Sequence, residues 1–385
     1  MRLLIIHNTL WAHYKSLVFR KLYEQMSAVD SLLVIQMALT EGHRNGLGVP
    51  SASAVGYPFV LLHNGPLEEV SLPARIRGLL KHSIAFKPDA VLLTGYYDPA
   101  QLLLAMLLKI RGCRVILQNE STAADNQRTG WREHLKRAFV RTCDGFFCFG
   151  TRAADYMIQL GASPSRILIK NNAVVDNALL RQVYESALPA RLADQAAHQL
   201  APKNLIYVGR LIGIKNLAVL VDAFAEACRR TSVTDWGLIL LGEGNQKSSL
   251  QAQVTLLSMA DKIRFLPGCN WQDVPRFLAL ADVLVLPSQS EPWGLVVNEA
   301  MACGMPVLVS DHCGCVDDLI QDGQNGYRFD PSQTSQLTDR IGQLISAPDA
   351  RLQEMGHESA RIIEAFNPDT VGKMMYDALA TLLRH

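Results

Sequence analysis

Short apolar runs alternate with longer amphipathic segments along the whole chain, and the pattern starts again halfway. Continuous runs rich in Val, Ile, Leu or Phe are typical of strands buried on both faces of a parallel sheet. The strands predicted for the first half are Arg2–His7, Ser31–Met37, Phe59–His63, Ala90–Thr94, Arg114–Asn119, Gly145–Gly150 and Ile167–Asn171. Those predicted for the second half are Asn204–Val208, Gly237–Leu241, Lys262–Phe265, Val283–Pro287, Pro306–Ser310 and Gly326–Phe329. Helical patterns between the runs indicate βαβ units.

The two sets of runs predict two Rossmann-like, doubly wound α/β domains that face each other across a cleft. Residues 177–202 separate the sets, because they are Ala-rich and contain no predicted strand. We therefore assign residues 1–180 to an N-terminal domain and residues 181–368 to a C-terminal domain. A last helix, within residues 369–385, is expected to pack back on the N-terminal domain.

Composition excludes several classes of protein. Half of the 385 residues are apolar (49%) and 19% are charged, which argues against intrinsic disorder. The first apolar run, Leu3 to Ile6, is too short for a signal peptide, and no run approaches the roughly 20 residues that span a bilayer. The eight cysteines are scattered singly, so reduced thiols in a cytoplasmic protein are expected.

The net charge of +1 conceals an asymmetry between the halves. Residues 1–180 carry +7 and residues 181–385 carry −6. A basic first half is consistent with an anionic partner such as a lipid surface or a phosphate-bearing acceptor, and ordinary scatter of surface charge is the alternative.

The segment from Ser288 to Asp330 carries the most chemistry. Glu291 lies in the loop after a predicted strand, and Glu299 lies on the following helix. Trp293, Gly294 and Leu295 fall at the start of that helix, where backbone N–H groups and the helix dipole favour an anion or sugar hydroxyls. Such a set suits a sugar joined to a phosphate. The alternative is a helix whose N-terminal acidic residues stabilise its dipole.

Two cations follow the first strand of the second half. Arg210 comes directly after Gly209, and Lys215 is five residues further on, before a predicted helix. Together they can neutralise a diphosphate, Arg through a bidentate fork and Lys as a point charge; the alternative is solvated loop charge. Gly242 opens a Gly-x-Gly turn after the next strand, which is weak evidence by itself.

In this order and spacing, the motifs resemble those of the retaining glycosyltransferases of family 4, which have the GT-B fold. The resemblance covers most of residues 204–331. It rests on Gly209-Arg210, Lys215-Asn216, Gly242-Glu243-Gly244, Phe265 to Gly268, Pro287-Ser288, Glu291 with Glu299, the run Glu299 to Val307, and Asn325-Gly326. The first half follows the family's pattern more loosely.

The resemblance implies that the C-terminal domain binds a nucleoside-diphosphate sugar, with UDP and GDP as the candidate nucleotides. Arg210 and Lys215 would hold the diphosphate, and Glu299 the ribose hydroxyls. Glu291 would contact the donor sugar near its reacting centre. The backbone of Gly294, Leu295 and Val296 would surround the sugar and phosphate, while the stretch from Phe265 to Gly268 would line the base pocket.

The first half departs from the family's pattern at two places. Many members have a glycine-rich turn after the first strand, where this chain has His7 to His13, and many have a histidine where this chain has Gln118 to Ser121. Both positions normally face the acceptor and the reacting sugar. Asn119, Glu120 and His13 are the candidates on the acceptor side.

No metal ion or other cofactor is expected. The chain contains no Asp-x-Asp, and the two cysteines of His312-Cys313-Gly314-Cys315 lack zinc spacing. Residues 130–141 form a basic amphipathic segment, with Trp131, Leu135, Ala138 and Phe139 on one face. This segment could rest on an anionic membrane surface; the alternative is a helix packed by that face on the first sheet.

These observations predict a retaining glycosyltransferase that moves a sugar from a nucleoside-diphosphate sugar to a glycan or lipid-linked acceptor, in cell-surface polysaccharide synthesis. It would be metal-independent and cytoplasmic, with no nucleic-acid partner. A peripheral position on the inner face of the plasma membrane is the accompanying hypothesis. The alternatives are a nucleotide-sugar epimerase of the same fold and a non-catalytic nucleotide-sugar-binding protein.

Overall fold

The computed structural model describes residues 1–10, 13–41, 55–124 and 131–384, without the side chains of His13, Trp131 and Arg132. The chain divides into two compact units. Unit 1 comprises Met1–Val175 and Ala365–His385, and unit 2 comprises Asp176–Glu364. The first division lies five residues before the boundary drawn from the sequence, because the helix that begins at Asn177 already belongs to unit 2.

Unit 1 is built on a parallel sheet of seven strands within the described residues, in the order β3-β2-β1-β4-β5-β6-β7. Its strands are β1 (Arg2–Thr9), β2 (Ser31–Ala38), β3 (Phe59–Leu61), β4 (Ala90–Leu93), β5 (Arg114–Asn119), β6 (Gly145–Cys148) and β7 (Ile167–Ile169). Strand β1 pairs in parallel with both β2 and β4. The connections therefore run in opposite directions on the two sides of β1, which defines a doubly wound sheet.

Apolar side chains of β1 fill a core on each face of this sheet. Leu4 and Ile6 pack into one cluster of buried residues, and Leu3 and Ile5 pack into another. Successive side chains of a strand point to opposite faces, so an unbroken apolar run is what a sheet covered on both faces requires. This is the pattern that predicted the strands.

Helices cover both faces of the first sheet. They are α1 (His13–Gln25), α2 (Leu72–Phe86), α3 (Pro99–Ile110), α4 (Trp131–Thr142), α5 (Thr151–Gln159) and α15 (Pro368–Arg384). The last of these is the C-terminal helix, and it packs on α1. Val371, Met375 and Leu379 of α15 are fully buried in one cluster with Val18 and Phe19 of α1.

The orientation predicted for the basic helix α4 is wrong. Leu135 is 58% exposed, whereas Phe139 and Val140 are buried. Lys136, which was assigned to the polar side, is also buried, with its ammonium bonded to the Tyr156 hydroxyl at 2.9 Å. Aromatic rings and a hydroxyl can accommodate a buried ammonium, so helical periodicity alone did not identify the packed face.

Unit 2 repeats the doubly wound arrangement with six parallel strands in the order β10-β9-β8-β11-β12-β13. The strands are β8 (Lys203–Val208), β9 (Trp236–Leu241), β10 (Ile263–Leu266), β11 (Val283–Leu286), β12 (Val307–Ser310) and β13 (Gly326–Phe329). Its helices are α6 (Asn177–Ala187), α7 (Arg191–Ala197), α8 (Leu217–Thr231), α9 (Lys247–Leu256), α10 (Val274–Leu278), α11 (Leu295–Ala302), α12 (Val316–Leu319), α13 (Thr334–Ile345) and α14 (Asp349–Ile363). The prediction of two Rossmann-like sheets is confirmed.

In the part of the chain that the structure describes, no helix has the length and apolar character needed to cross a bilayer.

Candidate functional site

The carboxyl edge of the second sheet brings together the loops after β8 and β11. These two strands are neighbours, and the connections leave them in opposite directions. In open α/β sheets ligands bind at such a switch point, because the two loops diverge and leave a crevice. Here the Gln289 amide of one loop donates to the Ile214 carbonyl of the other at 2.8 Å, so the two loops form one connected surface.

An ion pair crosses this switch point. The Lys215 ammonium, from the loop after β8, contacts the Glu291 carboxylate, from the loop after β11. The two side chains are only 14% and 20% exposed, so less water screens their attraction than at an open surface. The sequence predicted a role for each residue, and the structure places them in direct contact.

Arg210 is the second cation of this edge. Its side chain is exposed and makes no hydrogen bond or ion pair with other described residues. A hydrogen bond fixes the backbone at this position, because the buried Tyr207 hydroxyl donates to the Arg210 carbonyl at 2.9 Å. Burial, and then the charge of Glu291, raises the pKa of Tyr207. Arg210 thus offers an uncompensated guanidinium on a fixed backbone.

Gly294 starts helix α11 in a conformation that other residues rarely adopt. Its φ is +101°, and a Cβ there would lie 2.8 Å from the Leu286 side chain. Because of this turn the helix begins at Leu295, with Gly294 as its N-cap residue. The first backbone N–H groups of a helix have no intrahelical partner. The amides of Leu295 and Val296 therefore lack a helical partner next to the loop that carries Glu291.

Glu299 lies one turn further along α11 and differs from Glu291 in its surroundings. Its carboxyl group makes no hydrogen bond or ion pair with another described residue, and burial raises its pKa to about 8. Its charge is felt by Cys269, whose pKa is raised to about 11 by burial and then by Asp273 and Glu299. A carboxyl group with little water and no protein donor is suited to accept hydrogen bonds from a ligand.

The turns after β9 and β10 complete this edge. A Cβ at Gly242, where φ is +145°, would lie 1.9 Å from the Gly209 carbonyl oxygen. Only glycine lets the ends of β8 and β9 approach this closely. Gly268, three residues after Phe265 in β10, lies 3.8 Å from the Glu243 side chain when a Cβ is placed on it. The predicted base-pocket stretch is therefore next to the Gly242–Gly244 turn.

The His312–Cys315 segment serves the backbone of this site. The Gly314 amide donates to the Glu291 carbonyl at 2.9 Å, and His312 Nδ1 contacts the Gln289 carbonyl at 2.8 Å. Among the described residues no three His, Cys, Asp or Glu side chains are grouped as metal ligands would be. The segment thus orders the loop that carries Glu291.

The predicted acceptor-side residues lie at the carboxyl edge of the first sheet. There a cavity of about 250 Å³ is lined by residues that follow β1, β4 and β5, among them Asn119 and Glu120. Glu120 forms an ion pair with Lys15, which is 8% exposed. Asn119 is buried and its amide donates to the Ser121 and Ala153 carbonyls at 2.8 and 3.0 Å, which fixes the loop. The His13 side chain lies outside the described part of the chain.

Several residues of this cavity lie outside the spaced motifs of the sequence. Lys15, Gln101, Gln118 and the pair Tyr96–Tyr97 all line it. His7, which also lines it, is buried, and burial lowers its pKa to about 3. An imidazole that stays neutral at pH 7 adds no charge to the cavity. His7 and Gln118 fall in the two stretches where the sequence departs from the family's pattern, whereas the others had no signal in the sequence.

Comparison with known proteins agrees with this geometry. A sequence profile of the family described as Glycosyl transferases group 1 matches residues 191–361. The alpha-D-kanosaminyltransferase of Streptomyces kanamyceticus is 24% identical over 64% of this chain and 62% of its own length. The N-acetyl-alpha-D-glucosaminyl L-malate synthase of Bacillus anthracis is 28% identical over 58% of each chain. The match thus spans about three fifths of these relatives.

Solved structures resemble the chain over almost its whole length. The HepE protein of Anabaena, in complex with UDP and glucose, superposes with a TM-score of 0.72 at 18% identity and covers 99% of this chain and 100% of its own. Sucrose-phosphate synthase of Thermosynechococcus elongatus superposes with a TM-score of 0.75 at 17% identity, covering 100% and 99%. The two sheets and these neighbours define the GT-B fold. The similarity to glycosyl transferases group 1 is carried by residues 191–361.

Proposed function

We propose that this protein is a retaining glycosyltransferase of family 4, which moves a sugar from a nucleoside-diphosphate sugar to a glycan or lipid-linked acceptor. The observation that carries the proposal is the Lys215–Glu291 pair across the switch point of the second sheet, next to the unpaired guanidinium of Arg210. One carboxylate and two cations at this edge match a ligand that joins sugar hydroxyls to two phosphates.

The cations stabilise the departing nucleoside diphosphate. As the bond between sugar and phosphate breaks, negative charge grows on the phosphate, and Arg210 and Lys215 are placed to meet it. Glu291 holds the Lys215 ammonium in position, and an ammonium has three donors, so a phosphate can share it with the carboxylate. Two fixed cations can do the electrostatic work of a divalent ion, so we propose that none is required.

Glu291 and Glu299 divide the donor between them. Glu291, beside Lys215, contacts the sugar near its reacting carbon, where positive charge develops. Glu299, which has no protein donor, accepts the ribose hydroxyls, and the amides of Gly294 to Val296 lie around sugar and phosphate. No side chain at this edge is assigned as a nucleophile. We therefore propose attack from the face of the leaving group, with the departing phosphate taking the acceptor's proton.

The basic first half is assigned to an anionic membrane surface that carries the acceptor. Helix α3 exposes Leu103, Met106 and Ile110, which are spaced along one helical face. Leu135 on α4 is also exposed, and Arg137 and Arg141 of α4 are exposed cations. An apolar stripe with neighbouring cations suits the interface of an anionic bilayer. A peripheral position on the inner face of the plasma membrane and a role in polysaccharide synthesis complete the proposal.

A donor screen tests this function. Thermal unfolding is followed with UDP, GDP, ADP and their common sugars, because a ligand at 100 times its Kd adds about 2.7 kcal/mol to stability. The donor that stabilises the protein is then incubated with it, and released nucleoside diphosphate is measured with and without EDTA. Release that survives EDTA is expected. An isomerised donor with no released diphosphate would indicate an epimerase, and binding without any turnover a non-catalytic protein.

A further inference from the structure

The cavity of unit 1 contains two buried hydrogen-bond acceptors that no protein group satisfies. Gln101 and Gln118 are 1% and 3% exposed, and both line the cavity. The amide oxygen of each has no hydrogen-bond partner among the described residues. A buried acceptor left without a donor destabilises the protein. Because both side chains line one cavity, a ligand in that cavity can bring donors to them.

Several other buried polar groups of the cavity are already paired. His7 contacts the Gln36 amide oxygen at 2.8 Å, and the Thr94 hydroxyl donates to the Ile6 carbonyl at 3.1 Å. The Gln101 amide nitrogen donates to Asn8 Oδ1 at 2.7 Å. Beside these pairs, the cavity lining keeps two amide oxygens and the Gln118 amide nitrogen without a described protein partner, and the hydroxyl groups of a ligand can both donate and accept.

The charges of the cavity disfavour an anionic ligand. Among its described lining residues Lys15 is the one lysine or arginine, and it is paired with Glu120. Glu41 and Asp98 add two further carboxyl groups, of which Asp98 pairs with Arg75. Lys136, close to the tyrosines, is paired with Glu133 at 3.1 Å. No uncompensated cation of this described lining awaits a phosphate.

A pair of tyrosines gives the cavity an aromatic wall. The rings of Tyr96 and Tyr97 lie 4.6 Å apart, tilted by 31°. Tyr96 is buried and holds its neighbour, while Tyr97 is 50% exposed. The C–H bonds on one side of a sugar ring carry partial positive charge and pack well on the negative face of an aromatic ring. The cavity volume, about 250 Å³, is below that of sites for drug-sized ligands, roughly 300–1,000 Å³.

We propose that this cavity binds the reacting end of the acceptor as a neutral saccharide unit, with Gln101 and Gln118 accepting hydrogen bonds from its hydroxyls and Tyr97 packing on its ring. The inference rests on the proposed function and deepens it, since it names the acceptor's chemistry. We expect a phosphorylated sugar to bind more weakly. Its phosphate is negatively charged at neutral pH, so the carboxylates of the cavity repel it, and it offers no hydrogen-bond donor to the amide oxygens.

Binding to the full chain with UDP present tests the proposal. The probes are the methyl glycosides of glucose, galactose, mannose and N-acetylglucosamine, each beside its 6-phosphate, followed by saturation-transfer NMR and titration. We expect at least one neutral glycoside to bind, and its 6-phosphate to bind at least about tenfold more weakly. Equal or tighter binding of the 6-phosphate overturns the proposal, and so does the failure of every neutral glycoside to bind.

Gln118→Met separates a binding residue from a structural one. The Gln118 side chain makes no hydrogen bond to another described residue, so the substitution removes no protein contact and should leave Tm unchanged or raised. Glycoside affinity should fall about threefold to tenfold, the loss expected for one neutral hydrogen bond. A lower Tm with unchanged affinity contradicts the proposal.

Two control glutamines lie in unit 2. Gln195 is buried and its amide donates to the Pro202 and Leu280 carbonyls, so Gln195→Met should lower Tm and leave glycoside affinity unchanged. Gln251 is exposed, and Gln251→Met should change neither. The thermal shift with UDP is recorded for every variant. If a neutral glycoside binds but UDP does not raise Tm, the proposed function alone is refuted. If UDP raises Tm but no neutral glycoside binds, this inference alone is refuted.

Discussion

The two units present the same edge of the same kind of sheet but leave different groups for a ligand. In each unit a Lys–Glu pair joins loops at the carboxyl edge, Lys15 with Glu120 in unit 1 and Lys215 with Glu291 in unit 2. Beyond that pair, unit 2 has the exposed Arg210 and the unpartnered Glu299, whereas unit 1 has two neutral amide oxygens.

Strand order therefore determines where a site lies but not which ligand chemistry it has. In both sheets the connections run in opposite directions on the two sides of the first strand. The loops at that strand therefore diverge and leave a crevice in each unit. The residual groups after internal pairing determine the ligand: unpaired charge in unit 2 suits phosphates, and unsatisfied neutral acceptors in unit 1 suit hydroxyls. The predictions below test whether these two chemistries are separable.

The largest effect is expected from removing the unit 2 cations. Lys215→Ala and Arg210→Ala should each lower turnover by roughly two orders of magnitude, the scale of losing one preorganised charge donor. Lys203→Ala is the matched control, because Lys203 lies at the opposite end of β8 in a surface ion pair with Asp349. Turnover is measured as released nucleoside diphosphate at saturating donor. A change of only a few-fold in both variants would refute the diphosphate assignment.

The unit 1 lysine sharpens the same comparison. Lys15→Ala breaks the corresponding ion pair with Glu120, yet the nucleotide affinity measured by calorimetry should stay at the wild-type value. A Lys15→Ala protein that loses nucleotide affinity as Lys215→Ala does would mean that the two edges do not have separate ligands.

The next largest effects are expected from substituting the two glutamates of unit 2, which should change different properties of the protein. Above pH 8, where the Glu299 carboxyl group is ionised, Glu299→Gln should weaken the sugar-free diphosphate about 10- to 150-fold, since a hydrogen bond to a charged group is worth about 1.5–3 kcal/mol. Glu291→Gln should remove most of the turnover but preserve that affinity, because it releases Lys215 to the phosphates. Glu354→Gln, at an exposed surface pair, is the control. The reverse pattern in calorimetry would exchange the two assignments.

A pH dependence should accompany Glu299. Burial raises its pKa to about 8, and ribose hydroxyls bind the ionised form better, so nucleotide affinity should rise by up to about tenfold per pH unit between pH 6 and 8. For folding, the raised pKa stabilises the protein at low pH, and that contribution is lost as pH rises from about 4.5 through about 8. Calorimetry and Tm against pH should both lose this component in Glu299→Gln.

The smallest effect concerns the membrane surface of unit 1. Weak attachment to anionic vesicles, abolished by salt, is expected in a sedimentation assay, since each cation near such a surface contributes about 1 kcal/mol. Replacing Arg137 and Arg141 by Ala should weaken it. Replacing Arg351 and Arg361 of unit 2 should not, although both are exposed. No sedimentation of the wild-type chain at low salt would contradict the membrane assignment.

The fold could be predicted from the sequence because buried parallel strands are encoded locally. Runs such as Arg114–Asn119 and Gly326–Phe329 coincide with observed strands, since an apolar run flanked by polar residues has few other uses. Helix orientation was less accessible. Lys136 is buried only because tyrosines distant in sequence surround it, and periodicity contains no such information.

The residues of the candidate site that belong to spaced motifs could be predicted from the sequence, and the others could not. Arg210, Lys215, Glu291 and Glu299 stand at spacings that could be compared with a family, and the structure brings Lys215 and Glu291 together. The pairing itself could not be predicted, because it depends on the adjacency of β8 and β11. Gln101 could not be found either, and the sequence marked the stretch from Gln118 to Ser121 without a role for Gln118, since the relevance of both glutamines lies in the partners they lack.

The path of the chain sets the order in which the protein can be completed during synthesis. Unit 1 needs residues from Ala365 onward, and α15 supplies Val371, Met375 and Leu379 to its core. Everything in unit 2 leaves the ribosome before that helix does. At about 5–20 residues per second, roughly 10–40 s separate the synthesis of Val175 from that of Leu379. During that interval the apolar face of α1 lacks the helix that covers it in the folded protein.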